Sequence, residues 1–175
     1  ACFYAGNILQ VFNTEDDQLI GEINIGNGSW NTFAISPDSK YAFVINLEAS
    51  GSIAVANLET MVLEESYQGA GLLTWPHGSA MDSLGNTLYV TSQFGNFIYK
   101  IDVSDIHNPV FENVVIAPGE APSTTFSYNP HEIHFSPDYS HYFVTCQETN
   151  EIRVFMPNND SLITIIPVGK FPQEM

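Results

Sequence analysis

An all-β fold of repeated four-stranded units is written into this chain by three recurrences. An aromatic–Val cluster returns as Phe43-Val44-Ile45-Asn46, Tyr89-Val90-Thr91-Ser92 and Phe143-Val144-Thr145-Cys146. A turn precedes each: Ser36-Pro37-Asp38, Asp82-Ser83-Leu84-Gly85 and Ser136-Pro137-Asp138. Before each turn stands a short opening, Trp30-Asn31, Pro76-His77 and Pro130-His131, and a fourth opening, Pro172-Gln173, follows. The openings are spaced by 46, 54 and 42 residues. A period of this length filled with strand-like segments is that of a β-propeller, in which each repeat is one antiparallel blade.

Within a unit the elements follow in order. The first strand is expected just after the opening, over residues 32–35, 78–81 and 132–135. Pro76 fixes φ and cannot donate to a ladder, so it is expected just outside that strand. The turn residues come next. Asp can bond its own backbone there, and Gly accepts a positive φ. The aromatic–Val cluster is the second strand, rich in the residues that suit a pleated, half-buried surface. A polar hinge follows at Asn7, Gly51, Asn96 and Asn150, leading into a third strand over residues 8–13, 52–57, 97–102 and 151–156. Leu9-Gln10-Val11 and Ile152-Arg153-Val154 alternate with period two, the mark of a strand and not of a helix. A fourth strand closes each unit at a glycine: Gly26, Gly69, Gly119 or Gly169. The Pro/Ser/Thr-rich stretch 116–129 lengthens its repeat and reads as a loop on one face.

The units give a half blade over 1–29, blades over 30–75, 76–129 and 130–171, and the start of another over 172–175. A closed ring needs more, so about three and a half blades of a longer, seven-bladed ring are expected, with the remainder supplied by more of the same polypeptide or by a second chain. Cys2 and Cys146 fall in units that are not neighbours, so each is expected as a small buried hydrophobe and not as half of a disulfide.

Twenty acidic residues face four basic ones, Lys40, Lys100, Arg153 and Lys170, for a formal charge of −16. That balance argues against nucleic acid and anionic membrane surfaces as partners. No apolar run approaches the ~18 residues of a membrane span. The acidic run Glu15-Asp16-Asp17 offers carboxylates for calcium but lacks a spaced calcium-loop pattern. Asn27-Gly28-Ser29 and Asn159-Asp160-Ser161 match the glycosylation sequon, which counts only in a secreted chain.

Several segments resemble the YVTN-repeat propeller family: Pro76-His77-Gly78, the run Asn86-Thr87-Leu88-Tyr89-Val90-Thr91-Ser92, and the stretch from Asn96 through Ile101-Asp102. Pro130-His131 with Ser136-Pro137-Asp138, and Ile166-Pro167-Val168-Gly169 ahead of Pro172, repeat the likeness in pieces. The resemblance implies a surface-layer-protein-like propeller, bacterial or archaeal and extracytoplasmic: periplasmic, surface-bound or secreted. More distantly the chain is similar to the propeller of nitrous oxide reductase, which implies copper for histidines at the blade openings. Asn31 and Gln173 depart from the pattern where it has histidine.

The first strand of a blade is the innermost one, so His77 and His131, with Asn31 and Gln173 in equivalent places, are expected at the mouth of an axial channel. Imidazoles converging there could hold copper or zinc, whereas calcium would call on loop carboxylates. The alternative is that each His ties its strand to the neighbouring blade by a hydrogen bond. His134, three residues on from His131, is expected on the opposite side of the pleat. His107 and His141 fall in turns. Asp38 and Asp138 serve identical turns in different blades. Trp30 and Trp75 border the openings and are candidates for stacking on a sugar or an apolar ligand.

Nucleophile elbow, phosphate loop and haem-attachment patterns do not occur. The leading expectation is therefore a non-catalytic binding or scaffold module for a protein or glycan partner. A metal-dependent or redox enzyme using His77 and His131 is the alternative. Lactone or ester hydrolysis follows only from analogy of fold.

Overall fold

The computed structural model describes residues 6–69, 71–124 and 128–174. Every regular element among them is a β-strand. A two-stranded sheet pairs β1 (Ile8–Phe12) with β2 (Leu19–Asn24). Three four-stranded sheets follow, each an antiparallel meander in chain order. The first holds β3 (Trp30–Ile35), β4 (Tyr41–Asn46), β5 (Ser52–Asn57) and β6 (Val62–Tyr67). The second holds β7 (Pro76–Met81), β8 (Thr87–Ser92), β9 (Phe97–Asp102) and β10 (Val110–Val115). The third holds β11 (Pro130–Phe135), β12 (Tyr142–Cys146), β13 (Glu151–Met156) and β14 (Ser161–Pro167). The leading strands β3, β7 and β11 lie against one another, as the inner strands of successive propeller blades do.

The central strands of the first two sheets are apolar on both faces because those sheets are covered on both sides. On β4, Phe43 and Ile45 pack toward the second sheet, while Ala42 and Val44 pack toward β1 and β2. On β5 the faces divide by size: Ile53 and Val55 point one way, Ala54 and Ala56 the other. A third cluster joins the second and third sheets through Tyr89, Ile98, Ile133, Tyr142, Val144 and Phe155. Tyr142 and Phe155 stack with ring planes 10° apart. The core is thus a set of layers between blades.

The turns behave as their chemistry requires. Asp138 Oδ1 accepts from Ser136 Oγ at 2.7 Å, Ser140 Oγ at 2.8 Å and the Ser140 N–H at 3.1 Å. Asp38 repeats this with Ser36 Oγ and the Lys40 N–H. In the second sheet Asp82 holds its turn from the first position, accepting from the Asn86 and Thr87 N–H groups. The next turn residue is left-handed in all three: Ser39 at φ 61°, Gly85 at 73° and Tyr139 at 56°. The hydroxyl and amide donors around Asp138 hold its carboxyl down at about 2. Its folded value lies below the ordinary one, so its stabilising share is present above the ordinary carboxylate range and is lost as pH falls toward 2. An NMR titration of the Asp138 carboxyl should give a midpoint near 2, moving up toward the ordinary range in Ser136→Ala.

The strand bounds hold for β5, β9 and β13 and shift elsewhere. The leading strands begin at the openings themselves, two residues earlier than the sequence reading placed them. Pro76 pairs opposite Ser92 and Ser79 opposite Val90, so an extra residue is accommodated between them. The same bulge falls between Trp30 and Thr32 and between Pro130 and Ile133. A proline lacks a donor but can begin a strand, and the bulge lets it do so. The closing glycines lie beyond the last strands, and Gly26 and Gly119 take left-handed φ of 82° and 87°. The described part of 116–129 is a loop between β10 and β11. Cys146 is fully buried and free, its thiol pushed up to about 12 by burial, whereas Cys2 lies outside the described residues.

Candidate functional site

At the openings of the second and third sheets the bulge takes one backbone N–H out of the ladder, and a side chain supplies the missing acceptor. The Gly78 N–H donates to Thr91 Oγ1 at 2.8 Å, and the Glu132 N–H donates to Thr145 Oγ1 at 2.9 Å. Thr91 and Thr145 hold equivalent places in the aromatic–Val clusters; the first sheet has Ile45 there. Thr91 Oγ1 also donates to the His131 carbonyl at 2.8 Å, joining the second blade to the third.

The two histidines sit inside this joint, exposed by only 7% and 8%. His77 Nδ1 lies 3.2 Å from the His131 carbonyl, and His131 Nδ1 lies 2.9 Å from the Gln173 carbonyl. A carbonyl can only accept, so each Nδ1 carries the ring proton and donates. That leaves His77 Nε2 as the acceptor for the Asn31 amide at 3.0 Å. Asn31, His77, His131 and Gln173 are thus linked blade to blade, and the two rings lie 3.8 Å apart with planes tilted 37°. Burial, and after it the neighbouring His77, hold His131 below the ordinary imidazole range, so the ring is neutral at neutral pH.

Glu132 completes the cluster. Its Oε1 lies 3.4 Å from His77 Nδ1 and 3.8 Å from His131 Nδ1. Asn31, Thr32, His77, His131, Glu132, His134, Gln173 and Glu174 together line a cleft of about 470 Å³. His134 therefore shares the cleft with His131, contrary to the alternation expected. The bulge between Pro130 and Ile133 inserts a residue and cancels one step of the pleat. A second cleft of about 490 Å³ continues past His134 along the same three strands; apolar side chains such as Phe33, Ile35, Met81 and Phe135 line it together with Ser79 and Ser136. Phe33 and Ile35 are 39% and 47% exposed there.

The tryptophans stand outside both clefts. Trp30 is buried in the core beside β1 and β2, and its Nε1–H donates to the Gly26 carbonyl at 2.9 Å. Trp75 is half-buried with φ 46°, its ring edge-on to Phe94 at 5.0 Å. His107 is exposed and bonds Glu65 at 3.0 Å, while His141 is half-buried in the turn and bonds Ser140 Oγ at 2.7 Å. Asp38 and Asp138 are occupied by their turns. Glu15, Asp16 and Asp17 are exposed in the β1–β2 turn, where Asp16 accepts the Gln18 N–H. Glu132, Thr91 and Thr145 escaped the sequence reading. Their signal was positional: Glu132 occupies the place of Gly78 beside the opening histidine.

Replacing His77 by Ala should lower stability by about 1–3 kcal/mol, since its hydrogen bonds with the His131 carbonyl and the Asn31 amide are both lost while the His131 carbonyl keeps Thr91 as a donor. Urea denaturation monitored by fluorescence measures this.

No family model matches the sequence, and no curated protein matches it. Solved structures do. Hydrazine synthase of Kuenenia stuttgartiensis aligns at TM-score 0.68 with 20% identity, over 92% of this chain and 43% of that one. The β-propeller domain of Cps50 (Swd1) from Myceliophteria thermophila aligns at 0.73 with 6% identity, over 94% and 50%. A putative 6-phosphogluconolactonase from Bacteroides uniformis aligns at 0.68 with 15% identity, over 94% and 51%. At these identities the likeness is one of fold, and it is that of a β-propeller. The chain spans about half the length of these structures or less.

Proposed function

We propose that this chain belongs to a YVTN-type β-propeller that works outside the cytoplasm as a non-catalytic binding or scaffold module, with a protein or glycan as partner. One observation carries the reading. A groove runs along the three inner strands and changes character from end to end, polar at Asn31, His77, His131 and Glu132 and apolar at Phe33, Ile35 and Met81. Concave surfaces lined by apolar side chains with a few converging polar groups are where ligands are held. The opening histidines are engaged in joints between blades, which suits a scaffold. Between the two partner classes, the groove favours protein, because the aromatic rings suited to a sugar, Trp30 and Trp75, are packed away from it. The acidic surface suits a basic or neutral partner.

Pull-down of defined surface proteins and a glycan array test this. Saturable binding to one class, lost in Ile35→Asp while the far-UV spectrum is unchanged, is the expected result. Turnover of a substrate with no partner bound would overturn it.

A further inference from the structure

We propose that His77, His131 and Glu132 form a binding site for one divalent transition-metal ion, zinc fitting best, at the polar end of the inner groove. The proposal goes beyond the binding-module reading, which stands or falls without it.

Three donor groups from two blades meet here, with one ligand atom of each lying within 4.8 Å of the others. A zinc ion bound at about 2.0–2.1 Å sets neighbouring tetrahedral ligands about 3.3 Å apart. The separation of His77 Nδ1 from Glu132 Oε1 is 3.4 Å and that of His131 Nδ1 from Glu132 Oε1 is 3.8 Å. A shift of a few tenths of an ångström brings both to that spacing. Two imidazoles and a carboxylate suit zinc, whereas calcium prefers an all-oxygen shell.

The carboxylate makes the second argument. Glu132 is only 15% exposed at its side chain, and its ion-pair partners among the described residues are the two imidazoles. A shielded carboxylate with no lysine or arginine in ion-pair reach among the described residues is short of positive charge. Its Oε2 also rests over Gly78, where a Cβ would come within 2.9 Å of it. The missing side chain at Gly78 leaves the carboxylate its room beside the rings.

The hydrogen bonds can accommodate the ion. Each ring proton moves from Nδ1 to Nε2, so the imidazoles stay neutral and offer an Nδ1 lone pair. His77 Nε2 then donates, and the Asn31 amide turns to present its oxygen. A metal-bound histidine whose second nitrogen donates to a carbonyl oxygen is the usual supporting arrangement. The His131 carbonyl loses His77 as a donor but keeps Thr91, and the carbonyl of exposed Gln173, which loses His131, turns to water. The three donors line a cleft that Glu174 also lines, and a fourth position on the ion would be left to water or a ligand atom.

The test is equilibrium dialysis of the chelator-treated protein against zinc sulfate, with metal analysis, and cobalt(II) absorption as a second readout. One ion per chain is expected, with the visible bands of tetrahedral cobalt. Glu132→Gln and His131→Ala should each weaken binding by at least about 10-fold. His107→Ala, at an exposed histidine in the β9–β10 connection, should bind as the parent does. Circular dichroism confirms that each variant is folded; Glu132→Gln, which keeps the shape of the side chain, stands in should His131→Ala unfold. A folded parent that takes up less than about 0.1 ion per chain overturns the site, as does binding that survives Glu132→Gln. Partner capture by the chelator-treated protein reports separately on the binding-module reading.

Discussion

Gly78→Ala should be among the most damaging single substitutions in this chain, lowering stability by about 3 kcal/mol. A Cβ at Gly78 would lie 2.4 Å from the His131 carbonyl oxygen and 2.7 Å from the Glu132 Cα. Both are backbone atoms of the next blade, so no rotamer change can relieve the contact. The inner strands would have to separate, and the Thr91 bridge to the His131 carbonyl would go with them. The strain is purely one of space, because Gly78 is not left-handed. Chemical denaturation should show the loss as a lower midpoint. A midpoint equal to the parent's would mean that the two strands are not in such close approach.

Arg153→Ala should cost about as much, about 3–5 kcal/mol, for an electrostatic reason. Arg153 is 6% exposed in β13. Its Nε donates to Glu151 at 2.7 Å, Nη1 donates to the Ile116 carbonyl, and the guanidinium lies 4.3 Å from the centre of the Tyr128 ring. Truncation leaves Glu151 shielded and without a partner, strips a buried carbonyl of its donor, and releases the loop that ends at Tyr128. The Arg153→Met, Glu151→Leu double variant should recover much of the loss, because removing both charges avoids the unpaired one. Thermal unfolding of the three proteins decides this. A single variant as stable as the parent would show that Arg153 only decorates the loop.

The fold was legible because its signals are local and repeated. The aromatic–Val clusters became β4, β8 and β12, and the Asp turns formed with their side chains accepting from backbone N–H groups of the turn. The bulges were not legible. Period-two reading assumes an unbroken pleat, and nothing in Pro76-His77-Gly78 states that two residues oppose one. That hidden step is why the leading strands start early and why His134 shares a cleft with His131. The candidate cluster was half visible. Recurrence picked out His77 and His131, but recurrence is blind to what differs between repeats. Glu132 differs, standing where the preceding blade has Gly78, and was passed over for that reason. Trp30 and Trp75 were read by proximity to the openings, whereas burial and ring packing decided their places.

At two successive joints the receiving group is a main-chain carbonyl, that of His131 and that of Gln173. Every amino acid brings such a group, whatever its side chain. A unit can therefore be copied, dropped or exchanged for another without a matching change next door, because its neighbour offers the same acceptor regardless of identity. Side chains at the openings are then free to drift, as histidine, asparagine and glutamine at equivalent places illustrate. The joint tolerates a change of residue but not a change of spacing, so this architecture can lengthen or shorten by whole units far more easily than by single residues.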